Sequence, residues 1–225
     1  MTKYDIIKDK MVLMIWKGIN FMDKTLDTYN KIAKKYNDEY GNDLSDAPYI
    51  NQFLKNVSGN KILDIGCGPG TLSKYIADKG YKVDGIDYSE EMIKIAKNKV
   101  DNVNFLQMDM RHIITNEKYN GIMLAYSLFH ISKKEVKDVL TEYHDLLEDD
   151  GVMLIILQDG IGEGLIEENL DTGLKKFINY YSFEEIENVL VEKNFKVIEK
   201  AIKKPISNLS MQNDKLVVIC KKVQN

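Results

Sequence analysis

The chain is predicted to be an α/β protein, a doubly wound, mostly parallel seven-stranded sheet with an antiparallel C-terminal strand pair. Three observations predict it. From Lys61 onward, short apolar runs alternate with helical patterns, the mark of βαβ units. One run, residues 151–157 (GVMLIIL), is apolar without interruption, as expected of a strand buried on both faces of a parallel sheet. The last two strand candidates, residues 195–201 and 215–221, have no helical pattern between them, so an antiparallel pairing is expected.

Each element has a local reason. Residues 61–66 (KILDIG) read as the first strand, followed by a helix over 71–79 that Gly80 terminates. Residues 81–87 (YKVDGID) are the second strand. Ser89 then caps a helix with Met92, Ile93 and Ala96 on one face. Residues 103–109 and 121–126 supply the third and fourth strands. Ser132 and Glu135 have capping-box spacing and open a helix to about Leu147. After the fifth strand, Ser182 and Glu185 repeat that spacing for a helix to about Lys193. Ahead of the sheet, residues 26–36 are helical, with Tyr29, Ile32, Ala33 and Tyr36 on one face.

Length and composition bound the rest. The 225 residues suit one large domain or two small ones, and 44% hydrophobic with 29% charged residues is ordinary globular composition. No repeat, low-complexity tract or linker divides the chain, so a single domain over 1–225 is expected. Within it, residues 1–21 form an accessory N-terminal segment and 22–57 a helical cap. Residues 158–181 form a long insertion at the active edge, read as a substrate-binding or lid element. The net charge of −4, with Arg111 the only arginine, argues against a nucleic-acid partner. Cys67 and Cys220 cannot build a disulfide framework or a zinc site alone, and no metal is expected. The apolar stretches are too short for a signal sequence or a membrane span, so a cytoplasmic protein is expected. The oligomeric state is left open.

The most informative run is Ile62-Leu63-Asp64-Ile65-Gly66-Cys67-Gly68-Pro69-Gly70, at the turn from first strand to first helix. Glycines there permit a tight turn and close approach of a ligand. In such sheets ligands bind at the carboxyl ends of the strands. A dinucleotide fingerprint needs a third glycine at position 71, which is Thr71; here the pattern is G-x-G-x-G preceded by an acid.

This run resembles motif I of class I S-adenosylmethionine-dependent methyltransferases, and further matches follow in order over roughly residues 22–225. Asp87 closes the second strand 21 residues after Gly66. The resemblance implies that it holds the ribose hydroxyls. Tyr88, Ser89 and Met92 resemble the stretch that packs on the adenosine. Asp109, with Met110 beside it, stands where the family often places an acid against the adenine amino group. Residues 125–130 (AYSLFH) resemble the segment that runs past the methionine portion. Residues 147–151 resemble the turn into the fifth strand. The helix bearing Tyr29 and Tyr36 resembles the family's N-terminal cap, with Asn30 in place of an acid. Asn120 likewise replaces an acid after Tyr119. The absence of an N/D-P-P-Y/F run after the fourth strand disfavours amino-methylation of adenine, cytosine or glutamine amides. The absence of a Pro-Cys pair removes the covalent cytosine mechanism.

The expected cofactor is therefore S-adenosylmethionine, with S-adenosylhomocysteine as product. Its site would comprise Tyr29, Tyr36, Asp64, Gly66, Cys67, Gly68, Asp87, Tyr88, Met92, Asp109, Met110 and Ala125. Cys67 is read as a small packing residue. Tyr29 and Tyr36 press their rings near the sulfonium or simply pack. His130 is the candidate catalytic residue, as general base or substrate ligand, against the alternative of a packed histidine. His112 and His144 are read as surface residues. The expected activity is methyl transfer to a small-molecule acceptor. A tRNA or protein acceptor, a non-catalytic cofactor-binding protein and, more distantly, a nicotinamide dehydrogenase are the alternatives.

Overall fold

A computed structural model describes residues 21–205 and 213–224. The helical elements described are α1 (Phe21–Tyr40), α2 (Ala47–Asn56), α3 (Thr71–Ala77), α4 (Glu90–Lys99), a short 3-10 turn (Leu128–His130), α5 (Val136–Leu146) and α6 (Phe183–Glu192). The strands are β1 (Lys61–Ile65), β2 (Lys82–Asp87), β3 (Asn104–Gln107), β4 (Tyr119–Ala125), β5 (Leu147–Gln158), β6 (Glu163–Glu168), β7 (Asp171–Asn179), β8 (Phe195–Lys203) and β9 (Lys215–Lys222). Seven of them make one sheet in the order β3-β2-β1-β4-β5-β9-β8, and β6 and β7 form a separate two-stranded sheet. The pairs from β3 to β5 are parallel. Strand β9 inserts antiparallel between β5 and β8. The predicted α/β fold class and the antiparallel end pair are both present.

The run 151–157 explains why the sheet is covered on both faces. Met153, Ile155 and Leu157 point to one face, where they meet Leu140 and Tyr143 of α5 and Leu190 of α6. Val152, Leu154 and Ile156 point to the other, against Ile50 and Phe53 of α2 and Ile76 of α3. All six are fully buried, and each contributes roughly 1.5–3 kcal/mol of transfer free energy. The order reverses at β1, whose neighbours are β2 and β4. This switch point opens the crevice where such sheets bind ligands.

Several local expectations need correction. Ser132 Oγ donates to the Glu135 carboxylate at 2.5 Å rather than accepting a helix N–H, so residues 132–135 form a turn and α5 starts at Val136. Strand β5 starts at Leu147, not Gly151; exposed residues 148–150 form an irregularity in its register with β4. Phe21, placed in the accessory segment, is the first residue of α1 and stacks on Phe177 at 5.1 Å. The rest of that segment lies outside the described residues. His144 is half-buried, edge-on to Phe195 at 5.3 Å. By contrast, Ser89 and Ser182 cap α4 and α6 as read, accepting from Met92 N and Glu185 N.

The insertion over 158–181 is a β-hairpin, β6–β7, preceded by the end of β5. A lone hairpin is marginal in water, and helix α1 supports this one. Thr28 Oγ1 donates to the Lys175 carbonyl at 2.7 Å, and Phe177 N donates to Thr25 Oγ1 at 2.9 Å. Two hydroxyls on one helix face thus satisfy the outer edge of β7.

Candidate functional site

The crevice at the carboxyl ends of β1, β2 and β4 has two connected parts. The inner pocket is small, about 80 Å³, and lined by Gly66 and Gly68, by Asp87, Tyr88 and Met92, and by Tyr29 and His130, among others. The outer cleft is about 400 Å³, within the usual range of ligand sites. Tyr29, Tyr36, Gly66, Gly68, Ala125 and Tyr126 line both.

The glycines of the first turn serve different ends. Gly66 has φ +76°, and a Cβ there would lie 2.4 Å from Ser127 Cβ. That tight approach lets Ser127 Oγ donate to the Ile65 carbonyl at 2.6 Å. Gly68 has φ +52°, and a Cβ there would meet nothing within 4 Å. It faces the crevice, so a side chain at that position would enter the space a ligand needs.

Asp87 lines the inner pocket beside this turn. Its Oδ2 accepts from Gly68 N at 2.9 Å and its Oδ1 from Ser89 N at 2.8 Å. Burial raises its pKa, while these N–H donors pull it down. Further lone pairs remain for hydroxyl donors, since a carboxylate has about four acceptor positions. Ser89 Oγ, in turn, donates to Asn30 Oδ1 at 2.7 Å, so Asn30 ties α1 to the start of α4. Tyr88, Met92 and Met110 supply apolar wall beside the carboxylate.

Asp64 lies buried on the outer-cleft side. Burial pushes its pKa up to about 7, against the Ser73 hydroxyl that donates to it at 2.5 Å; the Asp87 charge adds to the rise. Cys67 lines the same cleft, and burial with the nearby Asp87 and Asp64 charges pushes its thiol well above the ordinary range. It is therefore an inert packing residue. Asp109 is held by a neighbour in the chain. It is absent from both lining sets, and its carboxylate is engaged by Arg111 through Nε at 3.1 Å and Nη2 at 2.6 Å. This charge-assisted pair two residues apart turns the carboxylate to the Arg111 fork. Only its neighbour Met110 reaches the pocket.

His130 is buried, and its neighbours define its proton position. Nδ1 lies 2.7 Å from the Phe177 carbonyl, which can only accept, so Nδ1 carries the hydrogen. Nε2 then accepts from the Tyr29 hydroxyl at 3.0 Å. Burial, with Lys176 nearby, pushes the imidazole pKa down to about 3 against the Phe177 bond. A ring this hard to protonate is a weak base at neutral pH. Its geometry aims the Tyr29 hydroxyl and joins Thr25 and Thr28 in holding β7. Tyr29 and Tyr36 meet edge-on at 6.0 Å, and burial raises both phenol pKa values.

The outer cleft is built largely from residues that sequence motifs do not mark. Lys176 of β7 pairs with buried Glu168 of β6 at 2.5 Å and stands 5.7 Å from the Tyr29 ring centroid. Lys203 of β8 donates to Asp46 at 2.7 Å and to the Tyr126 hydroxyl at 3.2 Å. Tyr126 itself has φ +66°, a strained conformation for a bulky residue of the kind that concentrates at functional sites. Among the described residues, no group of three or more His, Cys, Asp or Glu could hold a metal ion. Nor, among them, is any helix long and apolar enough to cross a membrane.

A family model described as a methyltransferase domain matches residues 62–151, the segment from β1 into β5. Strand order and glycine turn agree with that match: residues 62–151 are similar to a methyltransferase domain, and the sheet has the Rossmann-like order of class I methyltransferases. It is similar to the putative methyltransferase YqeM of Bacillus subtilis (strain 168), 34% identical over 122 residues, 49% of each chain. It is also similar to the ubiquinone biosynthesis O-methyltransferase of Glaesserella parasuis serovar 5, 29% identical over 154 residues, 60% of this chain and 64% of that one. The chain spans about half the length of the first of these and of other curated relatives it matches. Among solved structures, it resembles the Burkholderia thailandensis 1,6-didemethyltoxoflavin-N1-methyltransferase, which contains 1,6-didemethyltoxoflavin and S-adenosylhomocysteine. That likeness has TM-score 0.73 at 17% identity, covering 91% of this chain and 89% of that one.

Proposed function

We propose that the protein binds S-adenosylmethionine along the boundary of the two parts, its adenosine in the inner pocket and its methionine portion against the Asp64–Cys67 wall of the outer cleft, and transfers its methyl group to a small molecule held in the rest of that cleft. The observation that carries this reading is the junction of Gly68 and Asp87 in the wall of the switch-point crevice, where Gly68 N donates to Asp87 Oδ2 at 2.9 Å. One offers bare backbone and the other a carboxylate already oriented by two N–H donors. Asp87 would hold the ribose, and Tyr88, Met92 and Met110 would pack on the adenosine. The turn at Gly66 and Gly68, with Ala125 and the Asp64–Cys67 wall, would hold the methionine portion. When bound, the cofactor supplies an electrophilic methyl group on a sulfonium.

The chain's own contribution is mainly orientation and exclusion of water. Tyr29 lies on the boundary between pocket and cleft, with its hydroxyl hydrogen directed to His130. Its oxygen lone pairs and ring face are left for a cationic methyl donor and its acceptor. His130 positions Tyr29 rather than removing a proton. The hairpin β6–β7 serves as the substrate-facing wall, since Lys176 lines the outer cleft. The name of the toxoflavin enzyme supports a small-molecule acceptor. The test is incubation with methyl-labelled S-adenosylmethionine and fractionated metabolites, with RNA and protein fractions alongside. Label in a low-mass product is expected. Label only in RNA or protein, or in no fraction, would refute the small-molecule reading.

A further inference from the structure

Gln158, at the end of β5, lines the outer cleft and is 3% exposed. Its backbone carbonyl accepts from Tyr181 N at 3.1 Å. Its side-chain Oε1 has no hydrogen-bond partner, the one such buried oxygen among the described residues of this wall. An acceptor withdrawn from water and left unpaired destabilises a fold, so a native structure that keeps one needs a reason for it. Its place suggests that reason. Tyr126 N, just past the end of β4, donates to the Ile156 carbonyl at 3.2 Å. Gln158 lies two residues beyond Ile156 on β5, so its side chain leaves the sheet on the same face as that of Ile156.

Two features of the cleft select what would complete that oxygen. The first is aromatic surface. Tyr126 and Phe129 line the same cleft and meet edge-on at 6.5 Å. The Tyr126 ring is held in place, because its hydroxyl donates to Asp46 Oδ1 at 3.1 Å and accepts from Lys203 at 3.2 Å. A fixed pair of rings is a surface for another flat ring. The second is charge. Lys203 pairs with Asp46 at 2.7 Å, Lys204 with Asp214 at 2.6 Å and Lys176 with Glu168 at 2.5 Å. Lys215 has partners of its own, the Asn213 carbonyl among them. Asp64 on the other wall accepts from Ser73. Glu39 and Asp43 are exposed at the rim, where solvent screens them. The charged groups inside the cleft are thus already engaged. A ligand bringing a net charge would lose its water without gaining a counter-ion.

Building on the proposed activity, we infer that Gln158 selects an uncharged aromatic acceptor, taking a hydrogen bond at Oε1 from an N–H or O–H of that molecule while its ring lies along Tyr126 and Phe129. The donor supplies the partner that the amide oxygen lacks. Gln158 is then a specificity-determining residue at the carboxyl end of β5, outside the glycine turn and the Asp87 wall.

The test is calorimetric titration of the full chain, saturated with S-adenosylhomocysteine, with three probes. Indole carries a ring N–H, benzofuran has the same shape without it, and indole-5-carboxylate adds a charge. Indole is expected to bind about tenfold more tightly than benzofuran, and the carboxylate no more tightly than indole. Gln158→Met removes the acceptor and should bring indole and benzofuran within about twofold of each other, with S-adenosylhomocysteine affinity also within about twofold of the unaltered protein. Gln158→Glu keeps an acceptor oxygen and should keep the preference for indole. The contrast between probes in the unaltered protein carries the test if Gln158→Met fails to fold. Equal binding of indole and benzofuran, no binding of indole, or tighter binding of the carboxylate overturns the inference. A parallel loss of S-adenosylhomocysteine affinity in Gln158→Met also overturns it, by giving Gln158 to the cofactor. If the unaltered protein binds no S-adenosylhomocysteine, the proposed activity fails, and Gln158 is then judged by the same probe contrasts in its absence.

Discussion

The inner pocket and the outer cleft share a boundary at Tyr29, Tyr36 and Tyr126, yet they are made differently. The inner pocket is a glycine turn and one carboxylate walled by apolar and aromatic side chains. Its key bonds, Gly68 N and Ser89 N to Asp87, join residues at most 19 positions apart. The outer cleft is made of long side chains whose partners are remote: Lys203 reaches Asp46 across 157 residues. Backbone donors offer little for substitution to vary, whereas paired side chains can be exchanged two at a time. A common cofactor suits the first construction and a particular substrate suits the second.

The largest expected effect breaks the outer construction. Lys176→Met strands Glu168, whose side chain is 4% exposed, and should destabilise the fold by about 3–5 kcal/mol. Adding Glu168→Leu should recover much of that loss in a denaturant melt, and no recovery would show that the pair does not act as a unit.

Next is the inner wall. Asp87→Ala removes an acceptor from the bonds expected with the ribose and should weaken S-adenosylhomocysteine binding by roughly 10- to 100-fold, at about 1.5–3 kcal/mol for a charged hydrogen bond. Titration calorimetry reads this directly, and an unchanged affinity would remove Asp87 from the cofactor site. Thr25→Val has a smaller reach. It deprives Phe177 N of its acceptor and should cost about 1–2 kcal/mol, seen as faster amide exchange in β7 than in β5.

The last prediction concerns a slope rather than a level. The folded pKa of Asp64 lies near 7, above its ordinary 3.8, so the folded state holds this proton more tightly than the unfolded one. Its contribution favours folding at low pH and is lost as pH rises from about 4 to about 7. Asp64→Asn should flatten that part of a Tm-against-pH profile, while an unchanged profile would contradict the buried, proton-holding carboxylate.

What the sequence made legible follows the same division. The strand–turn–helix at residues 61–77 and the Ser89 cap depend on neighbours in the chain, so glycine spacing and a capping serine were enough to read them. The apolar run 151–157 announced a two-faced strand for the same reason. The hairpin β6–β7 has no such signal, because Thr25 and Thr28 hold its edge from about 150 positions away. Ser132 and Glu135 had capping spacing, but Oγ met the carboxylate instead of the backbone. Asp109 is read from the resemblance alone, and its partner Arg111, two residues on, has no signal in that motif. Gln158, Lys203 and Lys215 carry no motif; only strand register brings them together.

The central claim is that Gly68 and Asp87 frame a site for S-adenosylmethionine. The most direct measurement is titration of S-adenosylhomocysteine, and separately of NAD, into the full chain by calorimetry. Saturable one-to-one binding of S-adenosylhomocysteine with no heat from NAD is expected. Binding of NAD, or no binding of S-adenosylhomocysteine, would contradict it.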